Sequence, residues 1–538
     1  MGQWGESGTA APAPSPTQET TARYHCLPGT SPIGGGTDVL PRLRTADMRR
    51  NARPSWPEFD EDVATELYVA RPQYRKLVVL VDSDVLPTPD QEDWSKQFLL
   101  AGLLRQHCIE FCKYADDGPP PDAPREWNEK LAKEIVPGWA VLGADDGTGH
   151  RNVTTGDKTW MAWYELPGNA NELAALDTST AAYGDLLVAE GEQRRRRDAE
   201  AVMVAEALGA DVFVTSREYL FATSLELAEG VTIARVDEAL SILGLYLRTQ
   251  GLYVPVATPD GVGSVRVNRG LFFWVGTVDA LPSAWRWLVG CADVANRIND
   301  DSPLILGQSV LQRVQRALQA RDEVHLWLNA PQDNDTADRA LSALDVVLLL
   351  LMGAVDATAQ IVHRDLELKG HPWEAKWQKA GWLKNVAISA PSLSALFSRG
   401  SEDFHTLRVL RLLRNCVHGE ALQQLAVVSG PKRERTLVAV PEADLQELET
   451  SFEASGGRVA WGVEELLPGR LHFDPGVFVE QLFPRVLTML DHIMANSQTA
   501  EVEYASSQTA DGASTDGQLD PGTFSPQNRD GIRWQLGL

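Results

Sequence analysis

Lys76 to Leu86 reads KLVVLVDSDVL, an unbroken apolar run that halts on acids. A run this short, this rich in Val and Leu and without polar alternation asks to be buried on both faces. That points to a strand inside a parallel sheet, and parallel strands need crossover connections. The chain supplies them. DWSKQFLLAGLLRQHCIEFCKYA reads as one helix, with apolar residues at helical spacing from Phe98 to Phe111. RRRRDAEAVMVAEALGADVFVTSREYLF reads as helix, turn and strand, with Gly209 placed to end the helix after Leu208. TIARVDEALSILGLYLRTQG adds one more strand and helix. Residues 115 to 180, with DDGPPPDAP and GADDGTGHRN, read as irregular loops. The expected architecture over 71–255 is an α/β three-layer sandwich with a parallel sheet and a central insertion.

Residues 256–300 read as a connecting β and helix segment, and 301–497 as a second domain. LPSAWRWLVGCADVANRI, LILGQSVLQRVQRALQARDEVHLWLNA, the stretch from Thr336 to Leu368, and SEDFHTLRVLRLLRNCVHGEALQQLAVV all show helical periodicity. TLVAVP and RVAWGVEELLPGRLHF read as short strands, and PGVFVEQLFPRVLTMLDHIMA as a last helix bent at Pro484. The chain is therefore expected to be multidomain, with an all-α bundle carrying a small β-element before its last helix. Residues 1–70 and 498–538 are rich in Gly, Pro, Ser and Thr and read as disordered, the second as an acidic tail.

Charge and cysteine usage exclude several classes. With 49 basic and 74 acidic residues the net charge is −25. This argues against a broad basic surface coating nucleic acid, while leaving room for a local basic groove. The apolar run Val346 to Val355 lies between Asp345 and Asp356 and is shorter than the ~20 residues a bilayer requires. The first twenty residues lack the order of a signal peptide. Five scattered cysteines form no disulfide framework. The expectation is a cytoplasmic protein without a membrane partner. Cys108 and Cys112, one helical turn apart in this reading, are expected to be buried small apolar residues rather than metal ligands.

Two constellations carry chemistry. The first is a set of acids at strand ends, where open α/β sheets bind ligands. Asp82 and Asp84 close the first strand, Asp198 opens a helix, Asp211 opens the next strand and Glu218 follows it. Converging carboxylates suit Mg²⁺ or Mn²⁺, which activate water and stabilise a leaving oxygen. The plainer reading makes Asp198 a helix cap. Arg194, Arg195, Arg196 and Arg197 read either as a guide for an RNA backbone or as a solvated turn.

The second constellation is RLLRNCVHGE. On a helix Arg411, Arg414, Asn415 and His418 share one face. Imidazole near neutrality can move a proton at a ribose 2′-OH or a 5′-oxygen, and a guanidinium can grip the phosphate between them. The plainer reading is a pair of surface arginines and a helix-terminal His favoured by the dipole. Trp285, Trp287, Trp373, Trp377 and Trp382 read as core or interface, with base stacking as the alternative.

VVLVDSDVL, followed later by DAEAVMVAEALGADVFVTSREYL, resembles PIN-domain nucleases over residues 76 to 250. The resemblance implies that Asp82 and Asp198 are metal-binding acids and that Mg²⁺ or Mn²⁺ is the cofactor. A middle acid would be Glu190 or Glu192. Where that family has a further acid this chain has Arg217, so Glu218 or Asp211 would have to substitute. LLRNCVHG, with the long apolar helix upstream, resembles the Arg-polar-His signature of HEPN domains over residues 300 to 497. That likeness implies metal-independent RNA cleavage by His418 with Arg414, assisted by Arg411 and Asn415, and a homodimer through the helical domain. Together the two resemblances imply an endoribonuclease, with the PIN-like half binding RNA or making a second, metal-dependent cut. A toxin or phage-defence role with an antitoxin or regulatory partner goes with them. The alternative is a non-catalytic nucleotide or RNA sensor, or an assembly scaffold, with both sites degenerate.

Overall fold

The structure is a computed structural model. It describes residues 75–87, 94–130, 132–144, 150–156, 158–163, 188–222, 231–260, 263–330, 334–419, 422, 424–429, 434–497 and 525–538. The expectation of disorder over 1–70 and 498–524 lies outside the described residues.

The apolar run forms β1 (Leu77–Asp82), which pairs in parallel with β2 (Ile109–Tyr114) on one side and β8 (Val212–Val214) on the other. β8 pairs in parallel with β9 (Thr232–Ala234), giving the order β2-β1-β8-β9. A short helix, α3 (Tyr219–Ala222), stands between β8 and β9 in the chain. Alternate residues feed separate cores, as the two-residue strand period demands. Leu77, Val79, Val81, Val212 and Val214 pack with α1 (Lys96–Leu103) and α4 (Val236–Thr249). Leu80 and Phe213 face the opposite way, toward α2 (Val188–Leu208). Between β2 and α2 lie a hairpin of β3 (Glu126–Asn128) with β4 (Lys133–Ile135) and a meander of β5 (Val141–Leu142), β6 (His150–Thr155) and β7 (Lys158–Trp163). After α4, β10 (Val256–Ala257) and β11 (Ser264–Val265) form a short antiparallel ribbon.

This half departs from the sequence expectation at four points. The helix expected to run through Phe111 stops at Leu103, and IEFCKY is a strand. Its pairing with β1 satisfies a full ladder that isolated helical propensity cannot offset. Cys108 is buried but not on a helix, and Cys112 sits on β2 with its thiol 3.1 Å from the Thr155 hydroxyl. The expected loops of 115 to 180 contain the five short strands β3 to β7. Asp198 is not at a helix start. α2 begins at Val188, so Asp198 lies in its third turn, where Arg194 pairs with it at i,i+4. Gly209 does end α2, with φ +65°, the left-handed conformation that suits glycine.

The helical half begins upstream of residue 301. α5 (Arg269–Asp279) and α6 (Ala284–Ile298) share its core through Phe272, Phe273, Trp287 and Cys291. The antiparallel pair α7 (Ser302–Asn329) and α8 (Asn334–Asp365) forms the spine. By length and apolarity α8 could cross a membrane, but 56 % of its most apolar window is buried in the bundle. α9 (Ala380–Ser389), α10 (Pro391–Ala395) and α11 (Glu402–Gly419) follow. Residues 424–429, expected to continue α11, instead form β12 (Gln424–Ser429). The antiparallel sheet β12-β13-β15-β14 also takes in β13 (Glu434–Ala439), β14 (Val463–Leu467) and β15 (Arg470–Phe473). α12 (Leu445–Ala454) lies between β13 and β14, and α13 (Pro475–Asn496) closes the domain with Pro484 inside it.

Deep in this half Arg321 of α7 meets Glu480 of α13. Its Nε lies 2.6 Å from Oε1, a second nitrogen contacts Oε2, and His325 Nε2 is 2.6 Å from Oε1. Burial works to raise the Glu480 carboxyl, but the charges of Arg321 and His325 outweigh it and hold the pKa down to about 2.

The expectation of a disordered tail fails for 525–538. Pro526–Leu536 is a helix, α14, opened by a Ser525 cap and wedged between the halves. Trp534 stacks on Trp94 beside the α/β core, while Ile532 and Leu536 enter the helical core. Burial of each aliphatic side chain contributes about 1.5–3 kcal/mol. Arg248 donates to Gln535 O at 3.0 Å and grips Asp322 of α7 through two nitrogens, at 2.6 and 2.9 Å. Arg321 donates to Leu536 O at 2.6 Å.

Candidate functional site

In register, β1, β2 and β8 end at one edge, and the residues just beyond them meet there. β1 delivers Asp82, the turn after β2 delivers Asp116, the turn after β8 delivers Thr215 and Arg217, and α2 reaches in with Asp198. Arg217 is the centre. Its Nε lies 2.8 Å from Asp82 Oδ2, its Nη2 3.1 Å from Asp82 Oδ1 and 2.7 Å from Asp116 Oδ1, and its Nη1 2.9 Å from Asp198 Oδ1. Thr215 Oγ1 donates to Asp82 Oδ2 at 2.5 Å and accepts from the Arg217 backbone N–H at 3.1 Å. Asp82, Asp198, Thr215 and Arg217 are all buried.

The electrostatics follow from that arrangement. Burial raises the Asp82 carboxyl above its ordinary range, against the pull of Arg217 and Thr215. Burial also works against the guanidinium's charge, but Asp82 and Asp116 outweigh it and hold Arg217 above its ordinary range. Arg217 therefore stays cationic and occupies the space between the carboxylates. The expected Mg²⁺ or Mn²⁺ does not fit these side chains while that guanidinium stands among them. Among the described residues no three His, Cys, Asp or Glu side chains are grouped to hold a metal.

The remaining acids lie elsewhere. Asp211 is buried at the opposite end of β8, where it accepts from the Val78 backbone N–H at 2.8 Å and pairs with Arg75. Glu218 is exposed and bonded to Arg235 at 2.9 Å. Glu190 is exposed in the first turn of α2, and the side chain of Glu192 lies outside the described residues. The basic run is helical rather than a turn. Arg194 pairs with Asp198, Arg196 with Glu200 and Arg197 with Asp117, at 3.4–3.5 Å, and the side chain of Arg195 lies outside the described residues. Asp116 escaped the sequence reading. It stands in a loop without periodicity, and only the ending of β2 beside β1 brings it to the cluster.

On α11, Arg411 and Arg414 are partly exposed and Asn415 is exposed. Helical spacing puts residue 418 on the same face, but the His418 side chain lies outside the described residues. Arg414 Nη2 lies 3.5 Å from Asp356 Oδ2 on α8, and Lys376 Nζ lies 2.5 Å from the same oxygen. Asp356 Oδ1 is buried and, among the described residues, accepts no hydrogen bond. Two cations thus converge on one oxygen of a single carboxylate. Arg411 leans instead toward Glu447, at 3.8 Å. Asp356 and Lys376 were not singled out in the sequence.

Comparison with protein-family models, curated proteins and solved structures returns no match. The reading of function rests on the two sites themselves.

Proposed function

We propose that the chain is a metal-independent endoribonuclease acting at the Arg414 face of α11, and that its PIN-like half handles RNA without cutting it. The observation that carries this is the convergence of Arg414 and Lys376 on Asp356, one helical turn from His418. A scissile phosphate beside Arg414 would have its growing charge stabilised by the guanidinium. His418 would take the 2′-hydroxyl proton as the 2′-oxygen attacks phosphorus. The P–O5′ bond then breaks and the 5′-oxygen takes up a proton, leaving a 2′,3′-cyclic phosphate and a 5′-hydroxyl. The HEPN-like character of this half, a homodimer through it, a cytoplasmic setting, and a toxin or phage-defence role under a neutralising partner belong to the same proposal.

Arg217 favours a second reading for the α/β half. A cation locked among three acids suits a non-catalytic sensor or scaffold. Labelled RNA incubated with the wild type, His418→Ala and Asp82→Ala, with and without EDTA, separates the readings. Cutting that resists EDTA and disappears only in His418→Ala is the expected result. EDTA-sensitive cutting lost in Asp82→Ala would move the chemistry to the sheet edge. Tight nucleotide binding without any cutting would select the sensor.

A further inference from the structure

The loop between α8 and α9 is pinned at both ends. Trp382 Nε1 donates to His363 Nδ1 at 3.2 Å, and His363 Nε2 lies 3.3 Å from Gly370 O. Trp377 is buried, stacks on Phe397 with centroids 4.6 Å apart, and donates to Thr358 Oγ1 at 3.0 Å. Trp373, between these anchors, does the opposite. It is 63 % exposed and lies flat on His371, with ring centroids 4.0 Å apart and planes within 12°. Pro372 separates the two residues and fixes the backbone between them. The pair is a preformed aromatic surface open to solvent on a well-anchored loop.

Its local sequence carries a slight excess of cations, although Lys376 and Arg414 share Asp356 and Lys379 pairs with Glu374. Lys376 follows Trp373 by three residues, so their backbones lie within about 11 Å, and Lys376 shares the Asp356 carboxylate with Arg414. From Arg364 to Lys384 the chain carries five Lys or Arg against three Asp or Glu, a local reversal of its net charge of −25.

We infer that His371 and Trp373 form a base-stacking platform for single-stranded RNA whose phosphates pass over Lys376 and Arg414. Every base has a π-face, so such a platform accepts RNA irrespective of sequence. The bases of a duplex are already stacked on one another and offer it nothing. This deepens the reading of the helical half as RNA-handling and rests on it.

The test measures binding without turnover. Anisotropy of a fluorescein-labelled twelve-residue oligouridylate is followed in EDTA, in a His418→Ala background, against the same strand annealed to its complement. Trp373→Ala is expected to weaken single-strand binding about tenfold, with the salt slope unchanged. Trp373→Phe should retain most of the affinity. Arg414→Ala should flatten the salt slope by roughly 0.7 for each phosphate it ceases to neutralise. Trp373 is exposed, so its two variants should melt like the parent. Single-strand affinity unchanged in Trp373→Ala, duplex bound as tightly as the single strand, or no binding by the parent would each overturn the platform. Binding that depends on Trp373 with no cutting by the wild type would overturn the cleavage reading alone.

Discussion

Arg217 grips Asp82 with two nitrogens, Nε to Oδ2 at 2.8 Å and Nη2 to Oδ1 at 3.1 Å, and uses its remaining reach to hold Asp198 and Asp116. One side chain thus neutralises part of a buried acid cluster at the sheet edge. Removing one partner of such a buried ionic group typically destabilises by about 3–5 kcal/mol, because the other charges are left unpaired.

Arg217→Ser should therefore lower the melting temperature at neutral pH. It should also create a vacancy lined by three carboxylates. Melts with and without millimolar Mn²⁺ check both effects: the variant should gain a Mn²⁺-dependent rise that the wild type lacks. Equal responses in the two proteins would show that the guanidinium does not keep the ion out.

Glu480 has a folded pKa of about 2 against an ordinary value of 4.5. A depressed carboxyl stabilises the fold fully above its unfolded pKa and loses that contribution as pH falls through its folded one. Wild-type stability should drop between about pH 4.5 and 2 through this group. Glu480→Gln should be less stable at pH 7, by about 3–5 kcal/mol, and lack that component of the acid dependence. Urea unfolding midpoints across pH 2–7 check it.

Gly531 of α14 faces the backbone of Pro255, where an added Cβ would collide with the carbonyl oxygen. Backbone cannot swing aside as a flexible side chain does, so Gly531→Ala should undock α14. The expected readouts are faster proteolysis after residue 497 and faster amide exchange in α4 and α5. A synthetic peptide of residues 525–538 should restore protection to a chain ending at 497.

Asp356→Asn should free Lys376 and Arg414 from their shared counter-charge. RNA binding should tighten and become more salt-dependent, while cutting slows because Arg414 is no longer held. A KM and a kcat that fall together would separate this positioning role from simple loss of folding, which lowers kcat alone.

β1 was legible because its apolar run admits few alternatives and ends on Asp82, and Gly209 because a left-handed helix end suits glycine. β2 was not. The spacing of Phe98, Leu99, Leu103, Ile109 and Phe111 also satisfies a helix, and only the ladder with β1 decides between them. Asp82 and Asp198 were visible as candidates, and the structure brings them to the same guanidinium. That Arg217 would bind both was not legible, since an acid-binding arginine and a surface arginine look alike in one dimension. α14 was missed because PQNRDGIRWQL is mostly polar. Its few apolar residues divide between two cores, and its one available signal was the Ser525–Pro526 start with Gly537 at the end.

The wedge formed by residues 525–538 follows both halves in the chain. A ribosome therefore finishes the α/β and helical halves before it makes the piece that seats between them. Until that piece emerges, the Arg248 and Arg321 donors to it are unmatched and the seam is open to solvent. Nascent chains should thus pass through a hinged stage, in which either half can meet a chaperone or another copy before the seam closes.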